Sequence, residues 1–156
     1  MARKATPDNI VCRNRRASRR FQILEKLECG IALQGTEVKS LRNRAVSVEE
    51  AYARIIDGEL WLIGCHIAPY KYGHTKNHEP LRRRKLLVHA REINKLNNKV
   101  EQKGLTLVPL RVYFNQRGIA KVSLGLVRGK TLADKRQDLQ ARDHQREISR
   151  AMRRRR

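Results

Sequence analysis

The chain has 156 residues, of which 36 are Lys or Arg and 15 are Asp or Glu, so its formal net charge is +21 at pH 7. A charge this large repels itself within a folded monomer, and it is typical of proteins whose partner is a polyphosphate. Three cysteines without a CxxC pair argue against a disulfide framework, and the most apolar segment, Leu60–Ala68, is too short to span a bilayer, so we expect a soluble cytoplasmic protein.

The basic residues are concentrated at the two ends of the chain. Residues 1–20 contain seven basic residues and one acidic residue, and residues 128–156 contain eleven basic and four acidic residues. A solvated basic surface and an acidic membrane are alternatives, but no amphipathic stripe pairs bulky apolar residues with these charges, and nucleic acid is favoured. Since aromatic residues make up only 4% of the chain, recognition is expected to rest on phosphate charge, shape and backbone contacts.

The N-terminal part, residues 1–19, is predicted to be a flexible basic arm because its arginines have no apolar face to pack. Short strands are predicted to follow at Phe21–Leu27, Ile31–Leu33 and Thr36–Leu41, separated by Gly30 and Gly35.

A capping box formed by Ser47 and Glu50 predicts a short helix. Next, Asp57-Gly58 between the apolar runs Tyr52–Ile56 and Glu59–Ile67 predicts a hairpin with a type I′ turn.

The rest of the central region contains a predicted strand at Leu86–Val88 and a helix at Ala90–Lys103 that Gly104 ends. A second hairpin is predicted from Leu105–Phe114 and Ile119–Val127, with Leu110, Val112, Phe114, Val122, Leu124 and Leu126 pointing inward and Pro109 marking an edge or a bulge.

These elements predict a mainly β protein: an OB-like closed antiparallel β-barrel of about six strands, with two or three short helices, over residues 20–127. In the basic tail, residues 128–156, a helix would align Arg142, Arg146 and Arg150 as one stripe. We expect the tail to be disordered when free and helical on an RNA surface.

Catalysis is poorly supported, and we expect no enzyme and no cofactor. The acids are scattered, so no cluster is predicted to hold the metal ions of a nuclease. Arg128–Thr131 is similar to the end of a phosphate loop but lacks its upstream glycine. Cys65, His66, His74 and His78 match no common zinc spacing, and a core cysteine with turn histidines is favoured.

Two features are candidates for RNA contacts. The run Arg82–Lys85 precedes an apolar strand, so it could grip a phosphate backbone, protect the strand from aggregation, or do both. Glu28, next to the small residues Cys29 and Gly30, could accept hydrogen bonds from a base edge, orient an arginine, or be a solvated turn acid.

Several ordered motifs resemble one family. Gly35–Arg42, Arg84–His89, Gly104–Leu110, and Gly129-Lys130 with Asp134–Arg136 are similar to the small protein B (SmpB) family of bacterial tmRNA-binding proteins, in order from about Asn14 to Arg136. The resemblance implies an OB-like barrel that binds the tRNA-like domain of tmRNA near its elbow. It further implies delivery of alanyl-tmRNA, with elongation factor Tu and GTP, to stalled ribosomes, and a tail in the empty mRNA channel near the decoding centre of 16S rRNA.

Matching positions give the site residues that the resemblance implies. Those for tmRNA are Asn14, Arg15, Arg16, Glu28, Gly30, Lys39, Arg84, Lys85, Leu87 and His89. Arg19 is added to them, because Ser18 stands where the family usually has Arg and Arg19 could restore that charge. Those of the tail for the ribosome, with its basic stripe included, are Arg128, Gly129, Lys130, Asp134, Lys135, Arg136, Arg142, Arg146 and Arg150. The expected state is a monomer. A structural ribosomal protein or a nonspecific RNA chaperone is the alternative, because its composition and basic ends would look the same.

Overall fold

The computed structural model describes residues 10–154. Its strands are β1 (Ile10–Arg13), β2 (Phe21–Ile31), β3 (Val46–Ser47), β4 (Tyr52–Ile56), β5 (Glu59–Ile63), β6 (His66–Ile67), β7 (Arg84–Leu87), β8 (Thr106–Phe114) and β9 (Ala120–Gly129). Its α-helices are α1 (Ala17–Arg20), α2 (Gly35–Arg42), α3 (Ala90–Lys103) and α4 (Leu132–Arg154), and a 3₁₀ turn covers His74–Lys76.

Six strands form a closed ring in the order β8, β4, β5, β7, β2 and β9, and β9 pairs again with β8. All of these pairs are antiparallel. Closure leaves the ring without a free edge, which is how small all-β domains avoid edge pairing. The predicted mainly β, OB-like barrel of about six strands is confirmed.

The core fills the inside of this ring. Leu60, Leu62, Leu86, Val122 and Leu124 are almost completely buried, and burial of such a side chain contributes about 1.5–3 kcal/mol. Val122 and Leu124 alternate along β9 with the partly exposed Lys121, although Ser123 is also buried. No helix within residues 10–154 has the length and apolar character needed to cross a bilayer.

Local turn chemistry predicted the hairpins and the end of α3 correctly. Asp57 and Gly58 both have positive φ, at 51° and 74°, as a type I′ turn requires. Gly104 is left-handed at φ 59°, directly after α3. The register of β8 against β9 shifts between Pro109 and Arg111, so Pro109 marks a bulge.

Two early predictions of secondary structure are wrong. Thr36–Leu41 is not a strand but part of α2, which begins where the backbone N–H of Gln34 donates to Glu37 Oε2 at 2.7 Å. Ser47 lies in β3 rather than at a helix start, and a turn follows in which Ala51 N–H donates to the carbonyl of Val48 at 3.2 Å. In this second case, the predicted capping pattern is not used.

Gly30 does not end a strand, because β2 runs through it to Ile31, so the prediction of a separate strand at Ile31–Leu33 is wrong. A Cβ at Gly30 would lie 3.1 Å from Leu87 Cβ, so the glycine allows close approach of the neighbouring strand β7. Glu28 consequently lies within β2 and not in a turn.

The flexible-arm prediction is wrong for residues 10–19. β1 pairs with β8, and Ala17 of α1 is buried. The anchor is the buried Asn14, whose Nδ2 donates to the carbonyls of Val48 at 3.2 Å and Pro109 at 3.0 Å, while its Oδ1 accepts from Ala17 N–H at 3.0 Å. Residues 1–9 lie outside the described part of the chain.

The tail forms α4, a 23-residue helix with no buried residue. Thr131 and Asp134 cap its start: Thr131 N–H donates to Asp134 Oδ2 at 3.0 Å, and Asp134 N–H donates to Thr131 Oγ1 at 3.2 Å. The Thr131 hydroxyl also donates to Asp134 Oδ2, at 2.7 Å, and this bond together with the one from Thr131 N–H holds the pKa of Asp134 below its ordinary value. The disordered free tail is not seen in this structure and stays a prediction.

Candidate nucleic-acid interface

A groove at the junction of β2, β7, β9 and the start of α3 contains several of the predicted site residues. It is lined by Glu28, Gly30, Leu87, Val88, His89, Glu92 and Lys121. Four of these, Glu28, Gly30, Leu87 and His89, are positions that the sequence assigned to tmRNA. The fold therefore brings together residues that lie up to 61 positions apart in the chain (28 to 89).

Gly30 sits in the middle of the groove floor. It pairs with Leu87 on one side and with Lys121 on the other. The Leu87 side chain is 53% exposed, which is unusual for a leucine in a barrel strand. The exposed Leu87 side chain can pack against a sugar or a base, and the Lys121 amine on the other side of Gly30 can bind a phosphate.

Tyr113 of β8 positions Glu28 through a side-chain hydrogen bond. Tyr113 is only 3% exposed, and its hydroxyl donates a hydrogen bond to Glu28 Oε2. Burial raises the pKa of Tyr113, and the bond to Glu28 raises it further, so the hydroxyl remains a donor at neutral pH. A carboxylate has two acceptor oxygens, so Glu28 can also accept hydrogen bonds from an RNA ligand.

Other predicted residues lie on the surface away from the groove lining. The Lys39 amine on α2 lies 5.1 Å from the centroid of the Tyr70 ring. Lys85 Nζ is 2.5 Å from Glu59 Oε1. Arg15 is exposed. Arg16 Nε and Nη1 contact Glu49 at 3.0 Å and Glu50 at 2.8 Å.

Arg84 is a correction to the predicted RNA contacts, because its side chain is completely buried. Its Nε donates to Glu37 Oε1 at 2.8 Å, its Nη1 to the Cys65 carbonyl at 2.6 Å and its Nη2 to the Pro80 carbonyl at 3.1 Å. Asn14 is a second correction, since its polar atoms are used inside the protein as described above. Both side chains support the fold and cannot reach RNA in this conformation.

Glu37, equally buried, is the partner of Arg84. Burial raises its pKa, but hydrogen bonds from Arg82, Gln34 N–H and Arg84 outweigh burial and hold the pKa below its ordinary value. The cluster joins α2 to β7 and to the loop before β7. The sequence interpretation of Arg82–Lys85 as an exposed grip is therefore wrong for Arg84.

Two tail residues also have partners within the protein. Lys130 N–H donates to the Arg20 carbonyl at 3.1 Å, and Lys130 Nζ binds the Ser18 carbonyl at 2.7 Å and the Asp138 carboxylate. Gly129 pairs with Phe21 at the end of β9. Arg19 of α1 lies against α4, in a cleft with Arg142 and Arg146. The other predicted tail residues, Arg128, Lys135, Arg136 and Arg150, are exposed.

A comparison with protein families decides the relationship. The family model described as SmpB protein matches residues 11–154. The chain belongs to the SmpB family.

Individual SmpB relatives agree over nearly the whole length. The SsrA-binding protein of Moorella thermoacetica is 58% identical over 146 residues, which cover 94% of each chain. That of Rhodopirellula baltica is 51% identical over 144 residues, covering 92% of this chain and 82% of the relative. A chain of the solved structure "tmRNA-SmpB: a journey to the center of the bacterial ribosome" is 53% identical, with a TM-score of 0.65, and the match covers 82% of this chain and 93% of the other.

Sequence reasoning missed four residues of the groove region in this SmpB-family chain. Val88, Glu92 and Lys121 line the groove, and Tyr113 donates a hydrogen bond to Glu28. Lys121 could have been found from strand pairing, because it lies opposite Gly30. No such signal marks Tyr113. It lies between Val112 and Phe114, which were predicted to point inward, so the alternation predicted an outward side chain.

Proposed function

We propose that this protein binds the tRNA-like domain of tmRNA through the groove that contains Glu28, and acts in ribosome rescue by trans-translation. The observation that carries this is the convergence of Glu28, Gly30, Leu87 and His89 on one groove of a strongly basic protein. Membership of the SmpB family and relatives that are SsrA-binding proteins support it.

The groove combines two kinds of recognition. Lys121 favours phosphate through its full charge, and the helix dipole at the N-terminus of α3 adds to it, while the Glu92 carboxylate that caps this end offsets part of the attraction. Glu28 accepts only from correctly placed donors such as base amino groups or ribose hydroxyls, and it repels phosphate. Affinity then comes from Lys121 and from basic residues outside the groove, and discrimination from Glu28.

The C-terminal tail supplies the second contact, which is with the ribosome. Before this contact forms, the protein is part of a delivery complex in which tmRNA carries alanine and is bound by elongation factor Tu with GTP. The protein acts as a cytoplasmic monomer, and its tail enters the empty mRNA channel near the decoding centre of 16S rRNA. The exposure of basic side chains on α4, among them Lys135, Arg136 and Arg150, supports contacts with ribosomal phosphates. The protein makes and breaks no covalent bond in this role.

Removing the tail separates the two contacts. A chain that ends at Lys130 keeps β9 and the Lys130 bonds to Arg20 and Ser18. We expect it to bind the tRNA-like domain within about threefold of the full chain and to lose peptide tagging on stalled ribosomes, because the phosphate contacts of α4 are gone. Filter binding and an in vitro tagging assay measure the two effects. A large loss of affinity for the tRNA-like domain would refute this division.

Tyr113→Phe tests whether the hydroxyl positions Glu28. We expect about three- to tenfold weaker binding of the tRNA-like domain, since one directional hydrogen bond contributes about 1 kcal/mol. In a Glu28→Ala background, where no side-chain oxygen accepts from the hydroxyl, the same substitution should have a smaller effect, and the difference gives the coupling between the two residues. Equal effects in both backgrounds would mean that Tyr113 acts independently of Glu28.

A further inference from the structure

The connection between β9 and α4 is only two residues long, Lys130 and Thr131, and it ties the C-terminal helix to α1. The Lys130 backbone N–H donates to the Arg20 carbonyl at 3.1 Å. Its Nζ donates to the Ser18 carbonyl of α1 at 2.7 Å and to the Asp138 carboxylate in the second turn of α4. We call Ser18, Lys130 and Asp138 the lysine clamp.

The burial of Lys130 is not what a contact with ribosomal phosphate requires. Its side chain is 13% exposed, whereas Lys135 and Arg136, a little later in the chain, are exposed. Removing an ammonium group from water costs free energy unless hydrogen bonds and an opposite charge replace the water. The Ser18 carbonyl and the Asp138 carboxylate replace it here, so the amine is already used inside the protein.

The place of Lys130 at the start of a helix supports an internal role. The N-terminus of an α-helix carries a partial positive charge, which disfavours a cation beside it. Two acids lie in the first two turns of α4. Asp134 accepts from Thr131 and caps the helix, whereas Asp138 accepts from Lys130. Asp138 is therefore the group that makes this position favourable for a lysine.

The cleft between α1 and α4 gives the helix little other support. Leu139, which lines it, is 58% exposed, and no residue of α4 is buried. The charged residues that line the cleft are four basic and two acidic ones, Arg19, Lys135, Arg142, Arg146, Asp138 and Asp143. Since this excess of positive charge pushes the two helices apart, a specific contact is needed to hold them together.

We infer that Lys130 is a positioning residue of the tail: held by Ser18 and Asp138, it fixes the direction in which α4 leaves the barrel. The inference rests on the proposed function, in which the tail enters the mRNA channel, and it moves Lys130 from the ribosomal contacts to the internal ones. A helix that already has one direction loses less freedom when its basic side chains meet RNA.

Asp138→Asn tests the lysine clamp, because it removes the carboxylate and makes the tail more positive by one charge. If tail charge alone governed tagging of stalled ribosomes, this variant would tag at least as well as the wild type. We expect about three- to tenfold slower tagging, since α4 loses its fixed direction. Asp138→Glu keeps the carboxylate and should restore tagging to within about twofold.

Asp143→Asn is the matched control. It makes the same charge change on the same helix, but Asp143 is 69% exposed and pairs with Arg146 of α4 itself. This variant should tag like the wild type. Equal effects of Asp138→Asn and Asp143→Asn would assign the change to tail charge and would overturn the inference.

A distance measurement on the free full chain tests the direction of α4 without the ribosome. Spin labels on non-natural amino acids at the exposed positions Glu101 and Gln140 leave the three free cysteines unmodified. Gln140 directly follows the clamped turns, so the predicted disorder of later tail residues does not affect the measurement. We expect a narrow distance distribution in the wild type and in Asp143→Asn, and a broad one in Asp138→Asn. The same distribution in all three chains would overturn the inference.

The two measurements also separate this inference from the proposed function. If the wild-type chain supported no tagging, the proposed function would be wrong, and the distance measurement would still test the lysine clamp. If Asp138→Asn gave a broad distribution but tagged at the wild-type rate, the direction of α4 would not matter for tagging. That result would overturn the inference and leave the proposed function intact.

Discussion

Arg84→Met is expected to destabilise the fold by about 3–5 kcal/mol, because it leaves the buried Glu37 carboxylate with only the partly exposed Arg82 as a cationic partner. The Cys65 carbonyl loses its donor as well, and the Pro80 carbonyl keeps only the hydrogen bond from Ile67 N–H. Urea denaturation of the full chain measures the change. A loss below about 1 kcal/mol would show that the cluster does not hold α2 and the loop to the barrel.

Arg82→Ala is the matched control for this substitution. Its side chain is 31% exposed and bonds the same carboxylate, so we expect a loss of only about 1 kcal/mol. If both variants lost the same amount, burial of Arg84 would not be the cause.

The pH dependence of stability follows from Glu37. Its pKa is lower in the folded chain than its ordinary value of 4.5, so its contribution is fully present above about pH 4.5 and is lost as the pH falls through the folded pKa. Glu37→Gln should flatten this part of the acid unfolding curve. If Glu37→Gln left the acid unfolding curve unchanged, the stability lost at low pH would come from other carboxylates.

Glu28→Arg is expected to weaken binding of the tRNA-like domain about 10- to 100-fold, although it adds two units of positive charge. The reason is that the variant removes the acceptor held by Tyr113 and leaves that buried hydroxyl without its partner. Affinity for a generic hairpin should rise slightly at the same salt concentration, since nonspecific binding follows charge.

Glu101→Arg makes the same charge change on α3, where Glu101 is exposed and accepts only from Asn97 among the described residues. It should bind the tRNA-like domain at least as tightly as the wild type. If Glu28→Arg behaved in the same way, bulk charge alone would govern binding, and the groove would have no role in recognition.

Sequence patterns predicted the elements whose structure is decided locally. The Asp57-Gly58 turn, the end of α3 at Gly104 and the strands that flank Asn115–Gly118 all depend on nearest neighbours, and all were predicted. The resemblance to the SmpB family added four residues of the groove, because the match from about Asn14 to Arg136 includes the end of β2 and the motif Arg84–His89 covers β7, and these two strands pair there.

The errors came from contacts between distant parts of the chain. Asn14 anchors the N-terminal segment through carbonyls that lie 34 and 95 positions away, which no local pattern reveals. The sequence predicts Arg84 as one cation of an exposed run, but Glu37, 47 positions earlier, binds it in the interior. In both cases a polar residue was read as a ligand contact when a distant partner had made it structural.

The groove is proposed to recognise the folded shape of a tRNA-like domain and not merely RNA charge. The affinity of the purified full chain for that domain, compared with its affinity for a generic hairpin of equal length at physiological ionic strength, measures this directly. We expect at least 100-fold tighter binding to the tRNA-like domain. Equal affinity for the two RNAs would contradict it and would favour a nonspecific RNA chaperone.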